Sequence, residues 1–148
     1  MSTYIYKPHN VSVLLYHYVC PAKYRRVIFD SAIEQTIVRS CHEISNRYEV
    51  NFIEIGVDDD HVHFLVQSVP SMSPTEIITM IKSLVAREVF RLHPKVKKQL
   101  WGGNLWSSGY FVSTVGVHSN EAQIKNYVKN QGSNYKQLHT TNSYTLVK

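Results

Sequence analysis

Two histidines around one apolar residue, His61-Val62-His63, follow Asp58-Asp59-Asp60 and lead into Phe64-Leu65-Val66. Side chains two apart along a strand project from the same face, about 6 to 7 Å apart. His61 and His63 therefore share one face, while Val62, Phe64 and Val66 share the other and can pack a core. A pair of imidazoles on one side of a strand suits a divalent metal ion. In a chain with eight histidines such a triplet carries little weight alone. Its meaning depends on a third ligand, a nucleophile and a surface suited to a substrate.

The elements that must position these residues begin with the size of the chain. Its 148 residues fit one domain, 1–148, large enough to bury a core without disulfides or a structural metal. Lys and Arg total 16 against 11 Asp and Glu, a formal net charge of +5 that suits a polyanionic partner. Neither a long apolar run nor a charged-then-apolar leader is present, so the expectation is a cytoplasmic protein with no membrane partner. Cys20 and Cys41 lack CxxC spacing, which argues against a disulfide framework or a zinc cage. Cys41 reads as a small buried hydrophobe.

Residues 1–10 read as a polar lead-in, and 11–19 (VSVLLYHYV) as a first strand stopped at Cys20-Pro21. Lys23, Tyr24, Arg25 and Arg26 then form a basic loop with an aromatic inside it. That combination can hold a phosphate backbone and stack on a base, or be simply solvated. Apolar Ile33, Ile37, Cys41, Ile44 and Tyr48 recur at helical spacing across 31–48. Residues 50–57 alternate as a strand, the aspartates make a turn, and 61–69 return as the hairpin partner. Ser73-Pro74-Thr75-Glu76 has the pattern of a capping box with proline at the first helical position. The helix it opens has Ile77, Ile81, Leu84, Val85 and Val89 as its core stripe. Lys82, Arg87 and Arg91, then Lys95, Lys97 and Lys98 past the helix end, form a basic tract that is either a solvated face or a phosphate track. A Gly- and Trp-containing loop, 100–109, precedes a strand at 110–115. Asn120-Glu121-Ala122-Gln123 caps a last helix running from about 120 to 138, with a frayed tail at 139–148. The order predicts an α+β, ferredoxin-like βαββαβ antiparallel sheet with both helices on one face, plus a C-terminal helix.

On that last helix Tyr127 and Gln131 are four residues apart and share a face, with Lys125 and Lys129 supplying positive charge. Docked near the histidines, Gln131 would offer an amide oxygen as third metal ligand and Tyr127 a phenolic oxygen. Those parts suit attack on a phosphodiester: a Lewis acid to neutralise developing charge, and a tyrosine that becomes covalently attached. Tyr127, one of ten tyrosines, reads more simply from the helix alone as an interfacial aromatic.

Taken in order, Pro21-Ala22-Lys23-Tyr24-Arg25-Arg26, Asp60-His61-Val62-His63, Ile81-Lys82-Ser83, the run Leu105-Trp106-Ser107-Ser108-Gly109-Tyr110-Phe111-Val112-Ser113-Thr114-Val115-Gly116, and Ile124-Lys125-Asn126-Tyr127-Val128-Lys129-Asn130-Gln131 resemble the single-tyrosine HUH transposases of bacterial and archaeal insertion sequences. The likeness covers roughly residues 11–135. It implies that His61, His63 and Gln131 are the metal ligands and that Tyr127 is the catalytic nucleophile. Because imidazole suits Mn²⁺ while Mg²⁺ prefers oxygen, the expected ion is Mg²⁺ or Mn²⁺, with Mg²⁺ physiological and Mn²⁺ at least as effective in vitro. The resemblance further implies binding to single-stranded DNA with hairpins, cleavage through a 5′-phosphotyrosine, rejoining of strands, and a homodimer with composite active sites. Lys23, Tyr24, Arg25, Arg26, Lys82, Arg87, Lys125 and Lys129 are the expected DNA contacts. Gly116 stands where a hinge for the tyrosine helix would be needed. Ala22, between Pro21 and Lys23, departs from the family pattern of a proline directly before the lysine. The alternatives are a domesticated HUH nuclease processing genomic hairpins, an HUH replication or conjugation nuclease, a non-enzymatic ferredoxin-like nucleic-acid-binding module, or a metal-binding protein unconnected to DNA.

Overall fold

The computed structural model describes residues 5–23, 30–58, 60–100, 103–115 and 135–141. A short antiparallel hairpin comes first, β1 (Ile5–Lys7) and β2 (Asn10–Ser12), where the sequence reads as a polar lead-in. Its signal is hidden because Tyr6 and Val11 face each other in the exposed ladder rather than entering a core. The Lys7 ammonium pairs with the Glu49 carboxylate, joining the hairpin to the turn before the fourth strand.

The main elements follow as β3 (Leu14–Pro21), α1 (Ser31–Arg47), β4 (Asn51–Asp58), β5 (His61–Ser68), α2 (Pro74–Leu92), α3 (Pro94–Gln99), β6 (Phe111–Thr114) and β7 (Lys136–Thr140). The sheet order is β6-β3-β5-β4-β7, and every pairing is antiparallel. With β3, β4, β5 and β6 as first to fourth strands, this is the ferredoxin-like order four-one-three-two, with β7 added beside β4. The first strand starts and ends later than its apolar run suggests, because Val11 belongs to the preceding hairpin and Pro21 still pairs with His61. The fourth begins at Phe111 rather than Tyr110.

Helices α1 and α2 pack on one face of the sheet. Ile33, Ile37, Cys41 and Ile44 from α1 meet Ile77, Ile81, Val85 and Val89 from α2 over Tyr18, Cys20, Val62, Phe64 and Val66, all buried. Tyr48 leaves the expected stripe: it is the C-cap of α1, and its ring is exposed and stacked on Arg47. Asp30 caps α1 by accepting from the Ile33 amide. At α2 the capping box forms as its sequence predicts, Ser73 and Glu76 each accepting from the other's backbone N–H. The lysines beyond α2 lie on the short helix α3, which Pro94 opens.

Strand β7 corrects two expectations. Residues 136–138 do not continue a helix, and His139 and Thr140 are not frayed tail; the five form a strand in which Lys136, Gln137, His139 and Thr140 pair with β4 and Leu138 falls at an irregularity in the register. The segment carries no apolar alternation because its polar groups find partners on the sheet and on α1. Lys136 reaches Glu34 at 2.7 Å, Gln137 reaches Glu54 at 2.8 Å, and the His139 ring packs edge-on against His42. Among the described residues no helix is long and apolar enough to cross a membrane.

Candidate active site

Facing residues of an antiparallel pair share a side of the sheet, so the register defines what lies on the face turned away from α1 and α2. Phe111, Val19, His63, Gly56 and Gln137 stand side by side across all five strands. The neighbouring row holds Pro21, His61 and Asp58. Val62 and Phe64 point the other way, into the core, so the expected division of strand β5 holds. Val19, Asp58, His61, His63 and Phe111 together line a cleft.

Each histidine is oriented through its Nδ1. His61 Nδ1 lies 2.9 Å from Asp60 Oδ1, so an N–H there donates to the carboxylate. Asp60, read from sequence only as a turn residue, therefore also holds a ring; its carbonyl accepts from the Ala22 amide and ties the turn to the end of β3. His63 Nδ1 lies 3.2 Å from His17 Nε2, and the two rings stack with centroids 5.4 Å apart. With Nδ1–H donating to His17, His63 keeps a lone pair on Nε2. That Nε2 is buried and has no hydrogen-bond partner among the described residues.

Burial lowers the His63 imidazole to about 4, against the opposing pull of the Asp58 carboxylate. Burial, then the neighbouring His63, lowers His17 to about 4 as well. Both rings are neutral at pH 7, the form in which an imidazole ligates a metal. An orphaned Nε2 on a neutral ring whose other nitrogen is held by a partner is the arrangement expected of a metal-binding histidine. His61 and His63 thus fit a divalent ion. Among the described residues no group of three His, Cys, Asp or Glu converges on a metal site.

Of the remaining sequence-derived residues, Tyr127, Gln131, Gly116, Lys125, Lys129, Tyr24, Arg25 and Arg26 lie outside the described residues. Lys23 is described at the end of β3, its amide donating to Leu105 O at 2.9 Å. Arg87 is exposed on α2 and borders a groove with Trp106, Asn104 and Phe90. Lys82 holds the loop before β6: its ammonium donates to Gly109 O at 2.9 Å and Ser107 O at 3.4 Å, and its own carbonyl accepts from the Trp106 indole. Gly109 adopts φ of 88°, a left-handed conformation that glycine enters without penalty.

Three site residues escape the sequence reading. His17 sits in an apolar run, and only the pairing of β3 with β5 brings it onto His63. Phe111 is 55% exposed at the mouth of the histidine cleft. Its signal is the alternation Phe111-Val112-Ser113, which puts an aromatic on the same face as a serine. Tyr135 packs edge-to-face on His63, with centroids 5.5 Å apart.

The fold and these histidines define an α+β, ferredoxin-like protein with a paired-imidazole site on the face opposite its helices. The family profile described as "Transposase IS200 like" matches residues 10–131. The ISDra2 transposase TnpA of Deinococcus radiodurans is 30% identical over 118 residues, covering 80% of this chain and 84% of that protein. The IS200 transposase of Salmonella typhimurium is 28% identical over 116 residues, covering 78% and 75%. A crystal structure of a Deinococcus radiodurans transposase superposes with a TM-score of 0.68 at 29% identity, covering 86% of this chain and 97% of that one. A REP-associated tyrosine transposase bound to a REP hairpin shares the fold, with a TM-score of 0.53 at 10% identity over 84% of this chain and 67% of that one. The chain belongs to the IS200-like transposase family.

Proposed function

We propose that this transposase cleaves and rejoins single-stranded DNA through a covalent bond to Tyr127, at a site built on His61 and His63. The observation that carries the reading is the buried, partnerless His63 Nε2 beside His61, each ring held through Nδ1 by a neighbour. Mg²⁺ or Mn²⁺ held by His61, His63 and Gln131 would supply Lewis-acid stabilisation of charge on the phosphoryl oxygens.

The tyrosine's part is nucleophilic. The Tyr127 oxygen attacks phosphorus, the bond from phosphorus to the 3′ oxygen breaks, and the phenolic proton passes to that leaving oxygen. The products are a 5′-phosphotyrosine and a free 3′-OH. Attack by another 3′-OH reverses the exchange and joins strands with no energy source besides the stored ester. Lys125 and Lys129, two residues to either side of Tyr127 in the sequence, would attract the phosphates. Lys23, Tyr24, Arg25, Arg26 and Arg87 would hold the backbone, and the bare ring of Phe111 offers a base a stacking surface next to the histidines.

Hairpin-bearing ends are the proposed substrate, a reading favoured by the REP-associated relative, which was captured on a REP hairpin. A homodimer with composite active sites, a single domain over 1–148 and a hinge at Gly116 complete the proposal. Phe111 also favours a second reading, a nucleic-acid-binding module without chemistry, since exposed sheet aromatics are what such a module needs.

The experiment is cleavage of labelled, hairpin-containing single strands with Mn²⁺, comparing the native protein with His61→Ala, His63→Ala and Tyr127→Phe. The proposal expects cleavage only in the native protein. Hairpin binding without cleavage in all four proteins would favour the binding module.

A further inference from the structure

Gly56 faces His63 across the β4–β5 ladder, so any side chain there would stand next to the imidazole. Glycine leaves that space to Tyr135: a methyl group built on Gly56 would overlap the Tyr135 hydroxyl and adjacent ring carbons. The seat is fastened at Glu54, which is fully buried on the same face. Its Oε2 accepts from the Tyr135 hydroxyl at 2.8 Å and its Oε1 from the Gln137 amide at 2.8 Å. Both oxygens of one buried carboxylate therefore hold residues of one short segment. Burial and the Glu54 carboxylate push the Tyr135 phenol well above its ordinary range, so the hydroxyl keeps its proton and remains a donor.

Held in this way, the Tyr135 ring meets His63 edge-to-face while His17 stacks on the same imidazole. The His63 ring thus has two aromatic contacts and one hydrogen bond setting its plane, and with that plane the direction of Nε2. Tyr135 also packs with Val115 against the Leu15, Ile53 and Leu65 cluster, so the described residues on either side of 116–134 meet at one place on the sheet.

We propose that Tyr135 is a positioning residue for the transposase reaction: seated over Gly56 and tied to Glu54, it fixes the His63 imidazole in the orientation that binds the divalent ion. The inference rests on the reading of His63 as a metal ligand given above. It ties ion binding to the anchoring of the chain four residues beyond Gln131. The chemical logic is that of a group outside the ligand set that orients a ligand, whose loss typically weakens metal binding about 10- to 100-fold.

The test is titration of the full chain with Mn²⁺ alone, followed by electron paramagnetic resonance, with circular dichroism melts run alongside. Tyr135→Leu keeps apolar contact with Leu15, Ile53 and Leu65 but removes the atoms that fill the Gly56 seat and touch His63. It is expected to weaken Mn²⁺ binding about 10- to 100-fold. Tyr135→Phe, which keeps the ring and loses only the Glu54 bond, is expected to weaken it less than Tyr135→Leu does. Gly56→Ala should weaken binding in the native background, where it displaces the ring, and add no further loss in the Tyr135→Leu background. Native Mn²⁺ affinity in Tyr135→Leu, together with lost affinity in His63→Ala, would overturn the role of Tyr135 and leave the metal site standing. Native affinity in His63→Ala would overturn both. An equal loss from Gly56→Ala in both backgrounds would place the fault in the strand and also overturn the proposal.

Discussion

Replacing Lys82 by methionine separates two roles that its position on a basic helix makes easy to confuse. Its ammonium donates to Gly109 O at 2.9 Å and Ser107 O at 3.4 Å, and its carbonyl receives the Trp106 indole at 2.9 Å. The loop so held is joined to the end of β3, with Ser107 N donating to Pro21 O and Lys23 N to Leu105 O, both at 2.9 Å. Methionine preserves the stem and the backbone carbonyl but removes the charge. A hydrogen bond to a charged group contributes about 1.5 to 3 kcal/mol net. The Gly109 bond is solvent-exposed and the Ser107 contact is long, so about 1 to 2 kcal/mol is expected for both together. For a chain of this size that corresponds to a fall in Tm of about 2 to 8 °C. The companion assay is the dependence of single-strand affinity on salt, where each phosphate contact contributes about 0.7 to the logarithmic slope. Lys82→Met should leave that slope unchanged. Arg87→Gln, altering an exposed side chain, should lower it by about 0.7 with little change in Tm. A Lys82→Met protein that melts like the native one but loses that much slope would refute the reasoning, because the ammonium would then serve DNA and not the loop.

Phe111→Ala should weaken single-strand binding by about 1 to 3 kcal/mol, the range for losing one base-stacking aromatic, in fluorescence anisotropy at fixed salt; unchanged affinity would remove Phe111 from the DNA surface. In metal-free protein, His17 and His63 are each held at about 4 against an ordinary 6.5, so between those values the unfolded chain binds more protons. Their contribution to stability is therefore complete above about pH 6.5 and is lost as the pH falls toward 4. Urea unfolding should show a loss of about 2 kcal/mol per ring between pH 7 and 4.5, with a smaller loss in His17→Leu; equal losses in the two proteins would contradict the assignment. Burial pushes the Cys20 thiol up to about 12 and holds Cys41 well above its ordinary value, so neither should be alkylated by iodoacetamide at pH 8 unless the protein is first unfolded.

Local signals carried much of the fold. The capping box at Ser73 and Glu76 and the three-and-four spacing of Ile33, Ile37, Cys41 and Ile44 are written in neighbouring residues, and the structure reproduces them. The alternation of β5 likewise separates the histidines from Val62 and Phe64 without knowledge of the partner strands. What stayed hidden depends on long-range pairing. His17 looks like one more residue of a strand until β3 is laid against β5, and Asp60 looks like turn chemistry until it meets His61 Nδ1. Strand β7 reads in sequence as the end of a helix and the start of a frayed tail because its polar residues have no apolar period. The carboxylates that satisfy them, Glu34 and Glu54, lie 102 and 83 residues back in the chain from Lys136 and Gln137. Gly56 appears in sequence as an ordinary glycine in a strand, and only the Tyr135 ring gives it meaning.

The central claim is that Tyr127 becomes esterified to the 5′ phosphate of a cleaved strand. Its most direct measurement is mass spectrometry of the protein after incubation with Mn²⁺ and a hairpin-bearing single strand, with nuclease trimming and proteolysis to locate the adduct. The account predicts a nucleotide mass on the peptide containing Tyr127, absent without metal and absent in Tyr127→Phe. An adduct on another residue, or metal-dependent cleavage with no covalent protein species, would contradict it.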